Sequence, residues 1–108
     1  MERRKAVRYR LQLPAVFRWE EPSGTRFQGD GVTRDVSGVG AYIFGAKCPT
    51  IQTEVEIHIV VPPLAGSART WLRGVMQVLR VEDDPRGGCG FSLAGKTWLI
   101  IPAGQAND

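Results

Sequence analysis

The chain has 108 residues, 13 of them glycine and 7 proline, with a net charge of +3 and an apolar fraction of 43%. That length fits one domain with a single modest core. No apolar run approaches the roughly 20 residues of a membrane-spanning helix, and no apolar segment follows the basic N-terminus as it would in a secretory signal, so a cytoplasmic protein without a membrane span is expected.

Residues 1–10 carry five basic side chains, Arg3, Arg4, Lys5, Arg8 and Arg10, against Glu2, whereas the other 98 residues hold nine basic and ten acidic groups. The basicity therefore belongs to an N-terminal arm, read as flexible, and the body is close to neutral. Long nucleic acid calls for a broad basic face, so none is expected as a partner. A compact basic clamp suits a small anion.

After the arm, Leu11, Leu13, Ala15 and Phe17 alternate with polar residues, which predicts a strand near 10–19. Pro14 inside it argues for an edge or a bulge. Glu20-Glu21-Pro22-Ser23-Gly24 is a loop, and a second strand is expected over 26–36. Ser37-Gly38-Val39-Gly40 makes a tight connection to a third strand at 41–44. At 54–61, Val55, Ile57, Ile59 and Val61 share one face, and Glu54, Glu56 and His58 the other. A hairpin loop at 62–68 leads to a long strand over 70–82, a turn at Asp83-Asp84-Pro85 and a last strand at 89–93. Residues 97–101 suit one short turn of helix or strand before Pro102, with a disordered tail beyond. Six short strands with such turns predict an all-β fold, a small antiparallel barrel over 11–101.

Several features read as structural. His58 is a polar surface residue, and Trp19, Trp71 and Trp98 pack in the core or at its rim rather than forming a platform for bases. Cys48 and Cys89 have no CxxC spacing, and His58 is the only histidine. A structural zinc site takes about four such ligands, so no metal is expected and the cysteines read as buried free thiols. No nucleophile elbow, metalloprotease helix motif, phosphate loop or carboxylate pair in apolar surroundings is present. An enzyme is not expected, and neither is a cofactor.

Two stretches carry chemistry. Arg4 and Arg8 stand four apart, which puts them on one face of a helix or of an extended chain. A guanidinium donates two parallel hydrogen bonds to a phosphate, reads the O6/N7 edge of guanine, or stacks on a base. Asp35 and Ser37 share a strand face. A carboxylate repels phosphate but accepts from the N1–H and N2–H2 edge of guanine. Gly38 and Gly40 are expected to turn the chain with positive φ and to let backbone N–H groups approach a ligand. A ligand that combines purine and phosphate would use both stretches if they meet in space.

The pair Arg4-x-x-x-Arg8 and Asp35-x-Ser37-x-x-Gly40, with 26 residues between Arg8 and Asp35, resembles the PilZ domain family. The resemblance extends through Leu11–Phe17, Gly40–Phe44 and Gly88–Leu93, so it covers about residues 3–93. It implies a six-stranded β-barrel that binds cyclic di-GMP, with the arm folding over the ligand and signalling to an unidentified downstream protein or fused domain. Arg4 and Arg8 would contact phosphates and guanine, Asp35 and Ser37 the guanine edge, and Gly40 would permit the turn. Arg3, just before the motif, is associated in the family with two stacked ligands instead of one. Arg34, beside Asp35, is a further candidate contact. Many members end in a helix across the barrel mouth. Here the helix is short or absent, or is replaced by Trp98-Leu99-Ile100 docking on the barrel. The competing readings are a ligand-independent interaction module of the same fold and a small-barrel binder of single-stranded nucleic acid.

Overall fold

The computed structural model describes residues 7–63 and 69–102. The described chain forms eight strands: β1 (Arg8–Tyr9), β2 (Pro14–Glu20), β3 (Arg26–Ser37), β4 (Gly40–Gly45), β5 (Glu54–Val61), β6 (Thr70–Asp83), β7 (Cys89–Ala94) and β8 (Leu99–Pro102). Every pairing is antiparallel, in the order β3-β2-β5-β6-β7-β4, and the β3–β4 pair closes a six-stranded barrel. Closure pairs both edges of each barrel strand, so no open sheet edge remains there. The six expected strands are these six, with ends shifted by a few residues. Among the described residues no helix is long and apolar enough to cross a membrane.

Alternation fills the interior. Phe17, Ile43, Ile57, Val78 and Phe91 come from five different strands and are fully enclosed. Removing one such side chain from water stabilises the fold by about 1.5–3 kcal/mol. An aromatic ladder crosses the core, with Phe91 edge-on to Phe17 at 5.0 Å and Trp19 stacked between Phe17 and Phe27 at 5.9 and 5.4 Å. Pro14 occupies neither an edge nor a bulge. It opens β2 one residue before the β5 pairing begins at Ala15, so its missing N–H takes no bond from that ladder.

Two β-bulges reverse the alternation. Along β3 the inward positions are Phe27, Gly29, Gly31 and Thr33; Arg34 is then the extra residue opposite β4, where the register slips between Thr33 and Asp35. Past it, Val36 turns inward while Asp35 and Ser37 face out. In β6, Leu79 is the extra residue between Val78 and Arg80, and Val81 takes the inward position while Arg80 and Glu82 face out. A bulge re-aims the side chains that follow it. Here both re-aim polar groups onto the same outer patch, beside β4 and β7.

Segments near both ends of the described residues return to this patch. Arg8 pairs with Ser37 and Tyr9 with Val36. The root of that segment is held by the buried Thr33, whose hydroxyl donates to the Leu11 carbonyl and accepts from Leu13 N–H at 2.9 Å. At the other end, Trp98 packs over Gly74 against the core and donates its indole N–H to the Ser37 carbonyl at 2.7 Å. β8 then runs along β6, with Leu99 and Ile100 exposed. Among the described residues the C-terminal segment is thus a docked tryptophan and a strand. Of the expected disordered tail at 102–108, Pro102 instead ends β8, paired with Thr70; residues 103–108, most of the 62–68 loop and residues 1–6 of the arm lie outside the described residues.

The cysteines are not free thiols. Cys48 and Cys89 form a disulfide with Cα atoms 6.2 Å apart. Cys89 pairs with Gly45 at the end of β4, and the loop leaving β4 brings Cys48 back beside it. A separation of 41 residues gives no local sign of this contact. Constraining a loop of that length in the unfolded chain stabilises by roughly 2–4 kcal/mol. Reductant, or Cys48→Ala, is expected to lower the urea-unfolding free energy by that amount. A midpoint unmoved by reductant would show that the bond contributes nothing.

Candidate functional site

The outer patch is a cavity of about 380 Å³. Arg8, Arg34, Asp35, Ser37, Gly40 and Tyr42 line one part of it, and Leu79, Arg80, Ser92 and Ala94 another. Five residues singled out from the sequence, Arg8, Arg34, Asp35, Ser37 and Gly40, therefore meet at one place. Arg3 and Arg4 lie outside the described residues.

The bulge at Arg34 sets the local geometry. It puts Arg34 and Asp35 side by side on the outer face, where Arg34 Nε donates to Asp35 Oδ2 at 2.7 Å. The Arg34 guanidinium lies 3.9 Å above the Tyr42 ring centre. Tyr42 faces out of the barrel, yet is only 4% exposed, because Arg34 covers it and Phe44 packs edge-on at 5.4 Å. Its hydroxyl donates to Glu82 Oε1 at 2.5 Å. Burial first, and then Glu82, push the phenol up to about 12, so it remains a donor across the physiological range. Arg80 also reaches Glu82, with Nε 3.7 Å from Oε1.

Ser37 closes the motif turn, since Val39 N–H donates to its hydroxyl at 3.3 Å. The glycines do not act as expected from the sequence. Among the described residues, positive φ occurs at Gly24, Gln52, Gly87 and Gly88, and neither Gly38 nor Gly40 is there. Gly40 is required by close approach instead: a Cβ on it would lie 2.2 Å from the Leu93 carbonyl oxygen across the β4–β7 pair.

The chemistry follows from the charges. Arg8 has no ion-pair partner among the described residues, whereas Arg34 and Arg80 each face one carboxylate. Arg8, Arg34 and Arg80 line the cavity together with Gly40, Ser92 and Ala94, and the guanidinium of Arg8 suits an anionic ligand. Asp35 at the rim suits a base that presents N–H donors. The sequence reading missed Tyr42, Arg80 and Ser92. A signal for Arg80 was present, because strict alternation from Val78 would have buried its guanidinium inside the barrel.

A family model described as PilZ domain matches residues 2–97. The chain belongs to the PilZ domain family. A solved structure of the Bacillus subtilis inhibitor of motility, MotI/DgrA, has the same fold, with a TM-score of 0.63 at 17% identity. The match covers 99% of this chain and 47% of that one, so the chain spans about half the length of that protein. None of the curated proteins matches the sequence. Within this PilZ domain, the Asp-x-Ser-x-x-Gly motif spans the end of β3, the turn and the first residue of β4, and the last residue of the Arg-x-x-x-Arg motif is paired to it through β1.

Proposed function

We propose that this PilZ domain is a receptor for cyclic di-GMP, without catalytic activity, that orders its N-terminal arm around the ligand and signals to a downstream protein or fused domain. The observation that carries this reading is the pairing of Arg8 with Ser37, which brings the end of the arginine motif to the cavity lined by Asp35, Ser37 and Gly40. Arg4 and Arg8 hold phosphates and stack on guanine, Asp35 and Ser37 take the guanine edge, and Arg3 serves a second ligand. Micromolar affinity is expected, about −8 kcal/mol.

Calorimetry with cyclic di-GMP, cyclic di-AMP and a short oligonucleotide tests the reading. Adenine has no donor at N1, so the wild type is expected to prefer the guanine dinucleotide, and Asp35→Ala to lose most of that preference. Equal wild-type affinity for the two dinucleotides would reject the role of Asp35, and tighter binding of the oligonucleotide would reject the receptor.

Stoichiometry is a separate expectation. One cyclic dinucleotide brings about two negative charges, fewer than the three guanidiniums of Arg3, Arg4 and Arg8. Two stacked ligands per domain are therefore expected, with Arg3→Leu shifting the ratio towards one. Binding should weaken as salt rises. A calorimetric ratio near one for the wild type at saturation would remove this role from Arg3.

A further inference from the structure

Arg34 is the residue that the strand ladder leaves over. As the extra residue of the β3 bulge it has no partner across β4. Its guanidinium nevertheless has a seat, over the Tyr42 ring at 3.9 Å and bonded to Asp35 Oδ2 at 2.7 Å. The seat is built from below. Glu82 accepts the Tyr42 hydroxyl at 2.5 Å, and Gly90 leaves room for it, since a Cβ there would lie 2.3 Å from the hydroxyl oxygen. A chain of contacts thus runs from β7 through Tyr42 and Arg34 and ends on the Asp35 carboxylate, whose side chain is 13% exposed.

We propose that Arg34 is a positioning residue that sets base specificity by holding Asp35, and is not itself a phosphate ligand; this rests on the receptor reading above. An aspartate alone at a cavity rim rotates about two bonds and pays entropy when a ligand fixes it. Tied at Oδ2 by a guanidinium that is itself clamped on an aromatic face, the carboxylate is held in one orientation before the ligand arrives. Oδ1 and the remaining lone pair of Oδ2 are left to accept two donors from one edge of a base. Guanine offers two such donors, N1–H and N2–H2. Adenine lacks the first and gains little from the held carboxylate. Arg34 therefore acts on the guanine ligand, whereas a cation that reached phosphate would act alike on both dinucleotides, which carry the same two phosphates.

The test is calorimetry on the full chain with cyclic di-GMP and cyclic di-AMP, using wild type, R34Q, R34K, D35A and R34Q/D35A. R34Q is expected to weaken cyclic di-GMP binding roughly tenfold, in the range of couplings between contacting residues, and to leave cyclic di-AMP affinity within about twofold. R34K should not restore the loss, because an ammonium on a flexible stem does not cover Tyr42 and hold Oδ2 at once. R34Q should add nothing in the D35A background, since its effect passes through Asp35. Equal losses for both dinucleotides would make Arg34 a direct phosphate contact and overturn the inference. Tighter cyclic di-GMP binding by R34Q would make Arg34 a mask over Asp35, with the same consequence, and unchanged discrimination in R34Q overturns it alone. A wild type that binds neither dinucleotide removes the receptor reading and this inference with it.

Discussion

Arg8→Ala is expected to weaken cyclic di-GMP binding by about 100-fold or more while the free domain keeps its thermal midpoint. The two halves of that result have separate causes. Arg8 lies on an exposed two-residue strand that contributes no side chain to the core, so truncation leaves the barrel intact. Its guanidinium lines the cavity and has no ion-pair partner among the described residues, so its charge is available to a ligand. Hydrogen bonds to charged groups contribute about 1.5–3 kcal/mol each, and two of them from one guanidinium fork account for the stated factor. Arg4→Ala is expected to behave in the same way. Calorimetry and a thermal melt on the same sample check both halves. Normal binding by either variant, or unfolding of either, would show that the arm is not the clamp.

Gly40→Ala is expected to destabilise the free domain by about 2–4 kcal/mol, in the absence of any ligand. A Cβ at this position would meet the Leu93 carbonyl oxygen at 2.2 Å. That atom is backbone in a strand paired directly with β4, so no rotamer change relieves the contact. The strands must separate, with overpacking costs at or above the usual 1–3 kcal/mol. If the glycine served only the turn or the ligand, Gly40→Ala would unfold at the wild-type urea concentration and lose binding alone. The two accounts are therefore separated by an equilibrium unfolding curve on ligand-free protein.

These two residues mark where sequence reasoning reaches and where it stops. Arg8 could be chosen from its four-residue spacing to Arg4, which has the same meaning in a helix or an extended chain, together with the Asp-x-Ser-x-x-Gly motif that follows in order. Gly40 could be chosen as a motif residue, but its reason could not. Positive φ is the usual local explanation for a glycine at a turn, and here the constraint comes from β7, more than 50 residues further along the chain.

The strands were legible for a simple physical cause. Period-two alternation in stretches such as 54–61 reflects one buried face, and that face is a property of neighbouring residues in the chain. The all-β class, the six barrel strands and the candidate residues Arg8, Asp35, Ser37 and Gly40 followed from such local patterns and from the family resemblance. The phase slips at Arg34 and Leu79 were visible only as interruptions of alternation. Which side chains they would turn outward depended on the register against β4 and β7. Tertiary structure alone decided the rest: the disulfide between Cys48 and Cys89, the seat of Arg34 on Tyr42, and the bond from Trp98 to the Ser37 carbonyl, whose partners lie 61 residues apart. Each depends on barrel closure, which places β4 between the end of β3 and β7. Closure is a relation between strands distant in the chain, and no local pattern of apolar and polar residues encodes their distance in space.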